Sequence, residues 1–153
     1  MNSPSERDRQ RLGGARVGRL GTVMSTVSSS HGRTDCGPEA VRPHLVPCCF
    51  VLVDNTIYSA VDGKPKSTAA LKRLANIRAH PRASLLVDRF SEDWNELWWV
   101  RADGAARVIE HGDEWAHAID HLIDKYEQYA VMRPEGAAVA IDLDNWQSWS
   151  ARD

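Results

Sequence analysis

The chain has 153 residues, 19 Lys plus Arg against 21 Asp plus Glu, a formal net charge of −2, and six Trp against two Phe. One domain is the default at this length, and 42% hydrophobic with 26% charged residues excludes a disordered or fibrous chain. The near-neutral balance excludes a general electrostatic footprint for nucleic acid or an anionic membrane surface, and no apolar run approaches the roughly 20 residues that span a bilayer.

Ser3, Pro4 and Glu6 have capping-box spacing with proline at the first helical position, so a short helix is expected through about Leu12, ended by Gly13 and Gly14. Val17, Leu20, Val23 and Val27 sit among Gly and Thr in a stretch that reads as a strand. Residues 28–42 are rich in Ser and Gly without periodicity and read as a long loop. Pro43 to Val53 is a nearly continuous apolar run, expected to be one strand buried on both faces. Asp54-Asn55 turns it into a hairpin with Thr56 to Val61. Residues 62–66 read as a turn. Ser67 or Thr68 can then cap a helix with Leu71, Leu74, Ala75 and Ile77 on one face, stopped by His80-Pro81.

Ala83 to Phe90 reads as a buried strand, followed by an acidic loop from Ser91 to Asn95. Glu96 to Arg101 is expected to be a strand that Ala102-Asp103-Gly104 turns into another, Ala105 to Glu110. Trp115, Ile119, Leu122, Ile123 and Tyr126 recur at helical spacing, with Asp113 and Glu114 at the favourable end of the dipole. Ala137 to Leu143 reads as a strand with a Trp-containing tail. Six or seven strands, mostly joined by hairpins, and three helices suit a mainly β fold, an antiparallel sheet closed into a barrel with helices outside it. A single domain over 1–153 is expected, with the N-terminal helix in 1–14.

Three of only four lysines (Lys64, Lys66 and Lys72) fall within nine residues. Lys64 and Lys66 flank a proline just before an expected helix N-terminus, where unpaired N–H groups favour an anion, and Ser67 and Thr68 add hydroxyl donors. The stretch reads either as a phosphate or polycarboxylate grip or as a solvated basic turn. His117 and His121 have i, i+4 spacing, but the residues between them do not form a zinc signature, and no metal site is expected. Cys36, Cys48 and Cys49 are odd in number and read as reduced thiols of a cytoplasmic protein; Cys48-Cys49 lies in an apolar strand, where cysteine behaves as a small hydrophobe. Trp98 and Trp99 must point to opposite faces of their strand.

The order of segments resembles a known family. Arg16-Val17-Gly18-Arg19-Leu20-Gly21-Thr22-Val23 leads to Pro43-His44-Leu45-Val46-Pro47-Cys48-Cys49-Phe50 and then to Ile57 through Lys66. Leu71-x-Arg73-Leu74-x-Asn76-Ile77, Pro81 through Asp88, Asp93-Trp94 and Leu97 through Arg101 follow. Over roughly residues 10–150 this resembles the pyridoxamine 5′-phosphate oxidase-like split β-barrel superfamily, and within it the actinobacterial oxidoreductases that use the deazaflavin coenzyme F420.

The resemblance implies a homodimer with its cofactor in a groove between subunits. It implies ring contacts at Val46, Pro47 and Cys48, and phosphate contacts at Ser59, Lys64, Lys66, Ser67 and Thr68. The cofactor implied is coenzyme F420, with FMN as the alternative, and the reaction is hydride transfer between the deazaflavin and an unsaturated small organic substrate. No catalytic side chain follows from it; His44 and Tyr58 can be read as proton donors or as structural residues. Competing readings are an FMN-dependent oxidase or reductase on the same fold, and a flavin- or haem-binding module without turnover.

Overall fold

The computed structural model describes residues 3–26, 40–61 and 68–152, with the side chains at 26, 40 and 68–70 outside that description. The turn expected at 62–66, Cys36 and nearly all of the loop expected at 28–42 therefore lie outside the described residues. The first helix, α1 (Glu6–Gly14), begins later than Ser3 and Pro4 suggest. Ser5 is the N-cap: its Oγ accepts from the Asp8 N–H at 3.1 Å, and the Asp8 carboxylate accepts from the Ser5 N–H at 3.2 Å. The same four-residue spacing recurs two positions on, and Asp8 closes the reciprocal pair.

Seven strands build one antiparallel sheet: β1 (Gly18–Thr26), β2 (Ala40–Cys48), β3 (Val51–Val53), β4 (Thr56–Ala60), β5 (Arg82–Arg89), β6 (Trp98–Ile109) and β7 (Ala138–Ser150). Their order is β2-β1-β5-β6-β7-β4-β3. The two edges, β2 and β3, are consecutive in the chain and separated only by Cys49 and Phe50. Three residue steps reach at most about 11 Å. The edges must therefore meet, and the sheet rolls into a barrel whose closing gap is crossed by the chain instead of a hydrogen-bonded ladder. This is a split β-barrel.

That geometry corrects the reading of Pro43 to Val53 as one strand buried on both faces. The strand breaks at Cys49-Phe50 because these residues cross the split. β2 is an edge strand with one exposed face, on which Leu45 is 72% exposed. One inward row runs across four strands: Leu20 lies opposite Leu85, Leu85 opposite Ala102, and Ala102 opposite Trp146. All four are buried, and the small Ala102 sits beside the large indole.

The expected turn at Ala102-Asp103-Gly104 is not a turn. β6 runs unbroken for 12 residues, with a register shift against β7 at Asp103/Gly104. A β-carbon at Gly104 would overlap the backbone carbonyl of Asp142, with the carbonyl carbon 2.7 Å away. This glycine serves close strand approach, not chain reversal. β7 likewise continues through the expected tail to Ser150.

Three more helices flank the barrel. α2 (Thr68–Ala79) packs on β1, α3 (Asp113–Lys125) buries Ala118, Ile119 and Leu122, and the short α4 (Glu127–Val131), not expected from the sequence, adds the buried Tyr129. His117 and His121 lie on the exposed side of α3. Leu71 and Ala75 of α2, expected in the core, are exposed, and Asn76 is buried in their stead beside Leu74 and Ile77. The inward face of α2 is thus Arg73, Asn76, Ile77 and His80, a mixed polar face at i, i+3, i+4, i+7.

Candidate functional site

Where β2 and β3 fail to pair, side chains satisfy the backbone that crosses the split. Ser59 Oγ donates to the Cys49 carbonyl at 2.8 Å. Tyr126 Oη accepts from the Phe50 N–H at 3.0 Å, and its proton can go to the carbonyl of Arg16 or of Phe50, each 3.0 Å away. Lys125 Nζ donates to the same Phe50 carbonyl at 2.9 Å and lies 4.2 Å from the centre of the Phe50 ring. Burial, reinforced by Arg16, holds the Lys125 ammonium down at about 8. Burial pushes the Cys48 thiol up, against an opposing hydrogen bond from Ser59 and the positive charge of Arg73. Cys48 is therefore a protonated core thiol, as its apolar strand suggested.

A second wall comes from α2. Thr22 and Asn76, each 5% exposed, are joined by a 3.1 Å hydrogen bond from Asn76 Nδ2 to Thr22 Oγ1. Ser25 and His80 share another at 2.5 Å. Arg73 lies one turn before Asn76 on the same helix face, and its charge is felt at Cys48. The Arg73 Nε is buried without a hydrogen-bond partner, and among the described residues no carboxylate forms an ion pair with this guanidinium. A half-buried cation without a counter-charge is costly, and an anion at this place would relieve it.

The sequence-derived residues fall into three groups. Val46 and Cys48 face inward from β2, whereas Pro47 is exposed on the other face. As an edge strand, β2 tolerates Pro43 and Pro47 where their missing donors would face outward, so Leu45, of the same parity, turns its main-chain groups to the free edge. Ser59 is 3% exposed beside Cys48 and Cys49. Lys64, Lys66 and Ser67 lie outside the described residues. Of Thr68 only the backbone is described, as the first residue of α2. Arg73 was not singled out from sequence, because it sits in an ordinary-looking amphipathic helix. The available signal was Asn76, a poor core residue three positions on.

Tyr58 is committed elsewhere. Its hydroxyl donates to Glu114 Oε1 at 3.0 Å, and Glu114 and Asp142 together hold Arg107 through four contacts of 2.6–3.1 Å. Arg107 keeps both carboxyls below their usual range, while burial and then Glu114 raise the Tyr58 hydroxyl. The network fastens the start of α3 to β4, β6 and β7, away from the split. Among the described residues no group of His, Cys, Asp and Glu could hold a metal ion, and no helix is long and apolar enough to cross a membrane.

Solved structures share this architecture. A conserved hypothetical protein of Mycobacterium tuberculosis is 20% identical, with a TM-score of 0.69 over 98% of this chain and 87% of that one. An FAD binding protein of Mycobacterium smegmatis is 17% identical, with a TM-score of 0.58 over 99% and 98%. A heme binding protein of the same organism is 17% identical, with a TM-score of 0.64 over 99% of this chain and 60% of that one. No curated protein matches the chain. The family model described as pyridoxamine 5′-phosphate oxidase matches residues 8–150, nearly the whole of the split barrel and its helices, and the chain belongs to that family.

Proposed function

We propose that the chain is a coenzyme F420-dependent oxidoreductase whose cofactor phosphate is held beside Arg73, where α2 meets the split. The observation that carries this is the half-buried guanidinium of Arg73, one helical turn from Asn76, whose buried Nε has no hydrogen-bond partner and which has no ion-pair partner among the described residues. It suits the phosphate that FMN and coenzyme F420 have in common, and the preference for F420 rests on the segment-by-segment resemblance. In this reading Ser59, Lys64, Lys66, Ser67 and Thr68 surround the same phosphate. The free edge of β2 at Val46, Pro47 and Cys48 meets the ring.

A bound deazaflavin supplies two-electron hydride chemistry toward an unsaturated small organic substrate. The chain's own residues neutralise the phosphate, orient the ring against β2 and keep the barrel side dry. The homodimer of this reading would cover Leu45 (72% exposed), Leu86 (37%) and Trp149 (49%), which stand on the exposed face of the sheet with Arg19 and Arg101 on either side of Leu86. A homodimer across that face would place the free edge of β2 near the partner.

The reading is tested by titrating the purified protein with coenzyme F420, FMN and haem while following fluorescence. Binding of F420 at micromolar concentration is expected. Tighter binding of FMN would move the protein to the FMN-dependent reading, and binding of neither overturns the cofactor assignment. Haem binding without turnover is the second outcome to watch, since one of the structures sharing the fold is a heme binding protein.

A further inference from the structure

Three buried side-chain atoms among the described residues have no hydrogen-bond partner: His44 Nδ1, Arg73 Nε and Asp103 Oδ1. Asp103 Oδ1 lies 3.1 Å from Arg101 Nε in an ion pair, which accounts for it. Arg73 belongs to the site already described. His44 is left over.

The position of His44 follows from strand register. It lies opposite Thr22, and directly opposed residues of an antiparallel pair present their side chains to the same face. Thr22 faces α2, where its hydroxyl accepts from Asn76. His44 therefore faces the same seam, with Arg73 one turn along the opposite wall. Two walls thus aim unpartnered nitrogens into one seam, a guanidinium from α2 and an imidazole from β2. Leaving a polar group buried and unpaired costs about 1–3 kcal/mol, and Nδ1 of an imidazole can either donate or accept, according to tautomer.

We propose that His44 is a ligand-contacting residue, its Nδ1 forming a hydrogen bond with a hydroxyl or carbonyl oxygen of the cofactor that Arg73 holds by its phosphate. This rests on the cofactor reading above. Along β2, His44 precedes Val46 by two residues on the same face, next to the positions that meet the ring in this reading. The contact therefore falls on the polyol or ring of the ligand.

The test compares His44→Leu and His44→Gln with the wild type in two measurements: the melting temperature of the ligand-free protein, and fluorescence titration with FMN and with coenzyme F420. Ligand-free His44→Leu should melt no lower than the wild type, because it removes an unpaired buried polar atom. It should bind the cofactor that the wild type binds about tenfold more weakly, the scale of one neutral hydrogen bond. His44→Gln, which restores a donor and an acceptor, should recover most of that loss. A His44→Leu protein that melts several degrees lower or does not fold shows His44 to be structural and overturns the proposal. So does unchanged affinity in His44→Leu when the wild type binds, which would leave the cofactor reading standing. A wild type that binds neither cofactor overturns both.

Discussion

Replacing Arg73 by methionine is expected to weaken cofactor binding by about ten- to a hundredfold, the scale of a lost charge-assisted hydrogen bond. The melting temperature of the ligand-free protein should stay level or rise. The two effects have one cause. In the ligand-free chain the guanidinium lies partly desolvated, with its Nε buried and no carboxylate paired to it among the described residues, so the fold gains nothing from the charge. Methionine keeps an unbranched apolar stem at this position of α2 and removes only the cation. An arginine that merely packed would show the opposite pattern, with melting temperature falling and affinity unmoved. Fluorescence titration beside a thermal melt separates the two.

The largest effect on stability is expected at Gly104. Gly104→Ala should destabilise the protein by about 3 kcal/mol or more and lower the melting temperature by about 10 °C. The added methyl would run into the backbone at Asp142 and Leu143, whose atoms lie in the facing strand and cannot swing aside as a flexible side chain would. The strain falls where the β6–β7 ladder already shifts register, between Asp103 and Gly104. Asp144 stands out there and is held by a bidentate contact from Arg82. Gly14→Ala is the matched control. A β-carbon at Gly14, at the end of α1, meets nothing within 4 Å, and the exchange should be neutral or stabilising by up to about 1 kcal/mol. Urea unfolding of both variants measures the contrast.

Much of the fold was legible where a strand is a short run bounded by turn or breaker residues, although β5, expected to be buried, has one exposed face. β5 reads exposed, buried, intermediate, buried along Arg82 to Leu85, and the sequence places the strand within one residue of its ends. The Trp115–Ile119–Leu122 spacing gave α3 because a helix burying one stripe leaves its period in the sequence.

The errors have a common physical origin in long-range geometry. Ala102-Asp103-Gly104 has turn composition, but its glycine answers to a carbonyl 38 residues away, and Asp103 is held by Arg101 and Asn145. Pro43 to Val53 is apolar throughout, yet nothing local says that the barrel splits at Cys49. The break is set by the need of Phe50 to meet Tyr126 and Lys125, more than 70 residues on. The roles proposed for Arg73 and, beyond a proton donor or a structural residue, for His44 were hidden for a related reason. They rest on atoms that lack partners among the described residues, a property of the assembled seam that no spacing rule encodes.

The lysine cluster that first suggested an anion site directs attention to the same end of α2, at Thr68. The structure adds a cation on the inner face of that helix, one that sequence alone leaves among the packing residues. In the proposed reading the anion site lies where the barrel opens, near the stitched backbone of Cys49 and Phe50.

The most direct test is a crystal structure of the protein with coenzyme F420 bound, or with FMN if that binds instead. The account predicts the cofactor phosphate within about 3 Å of the Arg73 guanidinium, at the end of α2 beside the split. A cofactor phosphate bound elsewhere, with Arg73 still unpartnered, would contradict it.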